Sequence, residues 1–347
     1  MIGNARERDG ARRLGLHFER EIREQPTVWE RIASSDRANE LARELDAQVV
    51  LVGSGSSLFV AQLGALALRR RRAEAHALAA TEARLDHRAY EDRIVLAISQ
   101  SGRSTDLLEA IDVLAPRRLI ALTNNLDSPL AARAHVTIDI GAGSEIAVPA
   151  SKSVSASAAI VLWAASIFGG DNRRDASVLC RTARAVAAWY DGSGQEKLLE
   201  AARRLALRRS VAVLGTDYGL PIAREAALKL KEASYLHAEG FPAGEFRHGS
   251  VAMVDPSYAV IGILDSDGLE IVARPLREVA VVDALRYSIG APTVDDIPSL
   301  GPTVEVPFNT LAWLATAQTL ALYAARWRGI ESDAPRGLSK ALISPQT

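Results

Sequence analysis

The most constraining feature of this sequence is a short strand that empties into a small-residue loop and then a helix, and that recurs. Gln48–Val52 is a β-branched run opening into Gly53-Ser54-Gly55-Ser56-Ser57, and an alanine-rich helical pattern follows to about Arg69. Ile94–Ile98 does the same, ending in Ser99-Gln100-Ser101-Gly102-Arg103-Ser104 ahead of a helix over Thr105–Leu114. Leu119–Leu122 and Val136–Ile140 read as further strands, with Pro129–Ala134 helical between them. Apolar strands alternating with helices across short loops predict a parallel sheet with helices on both faces.

The pattern returns about 160 residues later. Val211–Leu214 runs into Gly215-Thr216-Asp217-Tyr218-Gly219, and Tyr258–Leu264 into Asp265-Ser266-Asp267-Gly268. We read an internal duplication whose second copy has lost the serine-rich loops, so only the first is expected to bind an anion. The predicted fold class is α/β: two subdomains, each a parallel sheet flanked by helices in a three-layer α/β/α sandwich. The expected boundaries are a helical segment over 1–40, a first subdomain over 41–175, a second over 195–330 and a tail over 331–347. In the opening segment Leu14, Phe18, Ile22, Val28 and Ile32 keep helical spacing, and Pro26 predicts a break or kink there. Ser151–Phe168 reads as a long apolar helix and Gln195–Arg208 as a charged one.

Composition excludes several classes. Of 347 residues, 48% are hydrophobic and 24% charged, and the net charge is −1. Such a chain has enough apolar material for a full core and is not disordered. It also lacks the basic field that a phosphate backbone requires, so no nucleic-acid partner is expected. The apolar run around Ala156–Phe168 falls short of the ~20 residues that span a bilayer. Met1–Arg13 is charged and shows no signal-peptide core. Cys180 is the sole cysteine, which rules out an internal disulfide and cysteine-built zinc sites, and the 6 histidines show no ligand spacing. No metal or cofactor is expected, and a cytoplasmic location is. Of 41 basic residues only five are lysines: Lys152, Lys197, Lys229, Lys231 and Lys340. Lysine, unlike arginine, forms Schiff bases, so these positions bear inspection.

Both serine loops are predicted to follow a parallel strand and open a helix, the place where open α/β sheets bind ligands. There the unpaired N–H groups and the partial positive charge of a helix N-terminus favour an anion, and serine hydroxyls add donors. Ser57, Ser99, Ser101 and Ser104 are therefore candidates to surround one phosphate, against the bland reading of turn and cap serines. Neither loop carries Gly-Lys-Ser/Thr, and the third glycine position of a dinucleotide fingerprint holds Leu58, so a nucleotide is not expected. Further on, Pro221 suits a first helical turn, and Glu225, Lys229 and Glu232 then share one helix face at i, i+4 and i+7. The bland reading is a solvated pair worth about 0.3–0.5 kcal/mol. The segment Ala238–Gly249 is read as a loop mixing glycine, aromatic, acid and histidine, in which a tuned glutamate and a histidine would suit acid/base work.

Ile98-Ser99-Gln100-Ser101-Gly102, Ala226-Ala227-Leu228-Lys229-Leu230-Lys231-Glu232, His237-Ala238-Glu239, Gly244-Glu245 and His248-Gly249 together resemble the sugar isomerase (SIS) family, on the side of the isomerase half of glucosamine-6-phosphate synthase. Glu21–Pro26, Gly143-Ser144-Glu145-Ile146 and Pro335–Lys340 are similar as well, so the resemblance covers about residues 15–345. It implies sugar-phosphate binding by Ser57, Ser99, Gln100, Ser101 and Ser104, with Val148 against the sugar. It implies Glu232 as the group moving a proton between C1 and C2, flanked by Glu225 and Lys229, and His248 as the ring-opening residue. In the family that histidine comes from the neighbouring subunit, so a homodimer is implied. Lys340 matches a lysine able to form a Schiff base with the open-chain ketose, which makes 331–347 a tail that reaches the active site.

The sequence also departs from the family. No glutaminase domain with an N-terminal cysteine precedes the resemblance, so glutamine-dependent synthesis is not expected of this chain alone. Arg103 stands for the usual acid in the serine loop, and Ser250 for the proline of His-Gly-Pro. Between Gly268 and Gly290 the helix–strand pattern is short and irregular, which leaves open whether the second sheet keeps every element. The function expected first is deamination of glucosamine 6-phosphate to fructose 6-phosphate and ammonia. The alternatives are cleavage of phosphorylated Amadori adducts, aldose–ketose isomerisation of a phosphosugar, and a non-catalytic sugar-phosphate regulator.

Overall fold

The computed structural model of the chain describes residues 14–170, 175–192, 194–290, 294–302, 304 and 308–340. The described residues divide into two compact units: one within 27–145, 152–180 and 339–340, the other within 14–26, 146–151 and 181–338.

The first unit holds a five-stranded parallel sheet: β1 (Gln48–Gly53), β2 (Glu74–Ala79), β3 (Ile94–Ser99), β4 (Arg118–Thr123) and β5 (Val136–Asp139), in the order β2-β1-β3-β4-β5. The helices up to its end are α1 (Leu16–Ala33), α2 (Arg37–Glu44), α3 (Ser56–Arg70), α4 (Ala80–Leu85), α5 (Thr105–Leu114), α6 (Pro129–Arg133) and α7 (Lys152–Phe168). Period-2 alternation sends Val50, Val52, Val95, Ala97, Leu119 and Ala121 to one face, against Leu107, Ala110 and Leu114 of α5. Leu51 faces the other way, onto α3. A Cβ on Gly64 would lie 2.7 Å from Leu51 and 2.4 Å from Val161, so a glycine lets α3 fit between the sheet and α7.

The second unit repeats this plan. Its strands are β6 (Ser210–Gly215), β7 (His237–Pro242), β8 (Tyr258–Leu264), β9 (Leu285–Gly290) and β10 (Ser299–Leu300), all parallel, in the order β7-β6-β8-β9-β10. The remaining helices are α8 (Asp175–Asp191), α9 (Gly194–Leu205), α10 (Gly219–Ser234), α11 (Ala243–Phe246), α12 (Leu269–Glu278) and α13 (Asn309–Trp327). The two strand orders correspond position for position, which is the duplication read from the loops. Each sheet has its helices in layers on both faces, as expected of a three-layer sandwich.

One open point is settled and two expectations are corrected. The second sheet has lost no element: α12 and β9 occupy 269–290, and Pro275 inside α12 is what makes that helix look irregular. The segment 238–249 is not one loop, since β7 and α11 take most of it. Pro26 does not break the first helix, which runs from Leu16 to Ala33. Proline leaves the carbonyl four residues back without its N–H. Gln25 fills that role, donating from Nε2 to the Ile22 carbonyl at 3.0 Å and to Gln318 Oε1 at 2.9 Å. Among the described residues no helix is long and apolar enough to cross a membrane.

Candidate active site

In the first unit the chain leaves β1 toward β2 on one side and returns as β3 on the other. The crevice at the carboxyl ends of β1 and β3 is therefore a topological switch point. Both serine loops lie there. Gly53 permits the tight exit from β1, because a Cβ would sit 2.6 Å from the Ser57 backbone. Gly55 follows at φ +55 and opens α3 at Ser56. On the β3 side, Ser99 Oγ accepts from Gly102 N at 3.1 Å and Ser101 Oγ accepts from Arg103 N at 3.2 Å. Each hydroxyl is thus oriented by a main-chain donor while its own proton remains available to a ligand. The Gln100 carbonyl accepts from Asn124 N at 3.1 Å, which ties the loop to the end of β4. Ser104 stands at the N-cap of α5 without closing the cap with its side chain. Adjacent strands thus bring Ser57, Ser99, Gln100, Ser101 and Ser104 to the carboxyl end of the sheet with two helix N-termini, an arrangement suited to a phosphate.

The same unit holds Lys340. Its Nζ lies 2.9 Å from Glu145 Oε2, and the Glu145 side chain is fully buried. Glu145 also accepts from Ser153 N at 3.1 Å and from Ser153 Oγ at 2.7 Å at the start of α7. Burial pushes this carboxyl up, but the Lys340 charge and the Ser153 hydrogen bonds outweigh it and hold the group below the ordinary range. Sequence reasoning noted Glu145 within Gly143–Ile146 but assigned it no role. Neither its burial nor its partner, 195 residues away, is readable from local spacing.

The second unit carries the titratable cluster. α10 lies against β6 and β7 and is packed along its length by the buried helix α13. Glu225 and Lys229 therefore have only 1% of their side chains exposed and Glu232 21%, so the solvated-pair reading is overturned. Lys229 Nζ lies 2.6 Å from Glu232 Oε2 and 3.4 Å from Glu225 Oε1. Burial alone would lower the lysine's pKa, but Glu225 and then Glu232 more than offset it, and the ammonium is held well above its ordinary range. A charged Lys229 in turn fixes the orientation of Glu232, the member of the trio that reaches solvent. His248 stands apart on an exposed turn after α11, its N–H bonded to the Glu245 carbonyl at 2.9 Å. Among the described residues it makes no hydrogen bond or ion pair with the trio. Val148 is half-buried, its N–H held by the Asp333 carbonyl at 2.8 Å.

A family model, the SIS domain, matches residues 44–167 and 204–291, which contain β1–β5 and β6–β9 respectively. The chain belongs to the SIS family. This double-SIS chain is 30% identical over 335 residues to the glutamine–fructose-6-phosphate aminotransferase (isomerizing) of Sulfolobus acidocaldarius, covering 93% of this chain and 56% of the relative. It is 32% identical over 316 residues to the enzyme of that name from Pyrobaculum aerophilum, covering 85% and 51%. It thus spans about half the length of these curated relatives. In fold it is similar to glucosamine-6-phosphate deaminase from Thermotoga maritima, with a TM-score of 0.81, 23% identity and coverage of 94% and 100%. The C-terminal domain of glucosamine-fructose-6-phosphate aminotransferase from Francisella tularensis gives 0.80, with 20% identity and coverage of 93% and 99%. Both structures share the fold of this chain over more than nine tenths of its length.

Proposed function

We propose that this SIS protein is a phosphosugar enzyme that deaminates glucosamine 6-phosphate to fructose 6-phosphate and ammonia. The observation that carries the proposal is the buried Glu225–Lys229–Glu232 trio, whose outer carboxylate is oriented by a permanently charged lysine. A solvated helix face has no need of a buried charge cluster, whereas proton transfer beside a carbonyl needs a fixed carboxylate.

In this reading the serine loops take the phosphate, and His248, supplied by a second copy of the chain, assists ring opening. Glu232 removes the C2 proton of the open-chain aldehyde, and C1 is reprotonated, leaving an imine at C2. Water adds at C2 and ammonia leaves, so one water is consumed for each ammonia released. Lys340 holds the product ketose covalently as a Schiff base. Mixing the purified protein with glucosamine 6-phosphate should release ammonia and fructose 6-phosphate in equal amounts, and Glu232→Gln should abolish both while retaining phosphosugar binding. Turnover retained in Glu232→Gln, or binding without ammonia release, overturns the deaminase assignment; binding without ammonia redirects it to an adduct-cleaving enzyme with a bulkier amine substrate.

A further inference from the structure

We infer that Glu145 is the positioning residue of Lys340, holding its amine in the geometry for Schiff-base formation and facing the positive charge on that nitrogen at both ends of the step. The inference rests on the reading of Lys340 as the residue that binds the ketose covalently. It adds a residue to which the sequence motifs assign no chemistry.

The argument starts from the mobility of lysine. Four methylenes and about 2 kcal/mol of side-chain rotamer entropy make its amine a poorly directed nucleophile unless something fixes it. Lys340 keeps about one quarter of its side chain exposed, so burial alone does not fix its amine. Glu145 is the opposite kind of group: wholly buried, with both oxygens tied to Ser153 at the first turn of α7. That helix is buried from Lys152 to Ser166. The carboxylate is therefore a rigid post, and the lysine Nζ is set on it at 2.9 Å. It is also placed to match the charge through the reaction. The Lys340 ammonium gives up a proton and its nitrogen lone pair forms a bond to C2 of the ketose. The C2–O π pair moves to oxygen, which takes up the released proton and one of the two left on nitrogen and departs as water, leaving the protonated imine. One positive charge enters the step on Nζ and one leaves it on the same nitrogen, so a fixed anion beside that atom stabilises both ends.

A simple ion-pair anchor for the tail is the competing account, and the two separate experimentally. The wild-type protein is mixed with fructose 6-phosphate and reduced with borohydride, and the adduct is quantified on the Lys340 peptide by mass spectrometry. Binding of fructose 6-phosphate is measured in parallel by calorimetry. In Glu145→Gln the amide oxygen still accepts from Ser153 N, while the NH₂ takes the place of Oε2 and faces Ser153 Oγ and the lysine. The adduct formed in a fixed time should then fall about 10- to 100-fold, as expected for a misplaced reacting group, with binding within about twofold of wild type. Glu145→Asp, which keeps the charge on a shorter arm, should recover part of the adduct. It also carries the comparison with wild type if the Gln variant does not fold. Equal adduct in all folded variants, or binding lost in parallel with the adduct, overturns the positioning role. Absence of any Lys340 adduct in the wild type overturns the covalent reading itself, and the inference with it.

Discussion

Lys229 lies 2.6 Å from Glu232 although only 1% of its side chain is exposed. A buried ammonium this close to a partly solvated carboxylate is held by a second buried acid, Glu225, one turn back on the same helix. Such a cluster is self-consistent only as a set, because removing one member leaves another charged and unpaired in the protein interior.

Lys229→Met should therefore destabilise the fold by about 3–5 kcal/mol, since it takes the lysine charge away from the buried Glu225 carboxylate. Adding Glu225→Gln to that variant should restore part of the loss, as coupled neighbours are not additive. Urea unfolding of both single variants and the double variant checks this; additive losses would mean that the two groups do not interact.

Acid should weaken the protein partly through Glu145. Its carboxyl is held below its ordinary value of 4.5 in the folded state, so the unfolded chain binds the proton more readily. The stabilisation is present above that pH and is lost as pH falls through the depressed folded value. The advantage of wild type over Glu145→Gln in urea midpoint should be constant near neutrality and shrink below about pH 4.5. A gap that does not narrow on acidification contradicts the assignment.

Ser99→Ala should raise the dissociation constant for a phosphorylated sugar by about 10- to 100-fold, the range of one hydrogen bond to a charged group. The unphosphorylated sugar should show no such sensitivity. Calorimetry with both ligands decides it, and equal effects on the two would remove the serine from the phosphate contact.

The continuity of α1 should depend on Gln25 as long as residue 26 is proline. Gln25→Leu strands the Ile22 carbonyl and the Gln318 oxygen, costing about 2 kcal/mol. Adding Pro26→Ala supplies an N–H to the same carbonyl and should recover part of that loss. Thermal unfolding of the single and double variants is the check.

The legible parts of the fold share one physical property. β3 and β8 are covered on both faces and buried at every residue, and such strands appear as unbroken apolar runs. β2 and β7 stayed hidden for one reason: both are edge strands, equivalent in the two copies, and only one of the six residues in each is fully buried. An edge strand tolerates Glu74, His76, Gly240 and Pro242, which read as loop composition. The i, i+4, i+7 spacing of Glu225, Lys229 and Glu232 was visible as well, but spacing places residues on a face without saying whether the face is wet.

By itself the sequence determined the repeated strand–loop–helix units, the serine loops at the carboxyl end of the first sheet and the shared helix face of the acid–lysine trio. These follow from local periodicity and backbone preference, which act over a few residues. Only the tertiary structure decided that α13 covers α10 and buries the Lys229 charge, and that Glu145 meets Lys340. Those outcomes depend on which distant segments pack together, and that packing sets the desolvation and pairing of a charge.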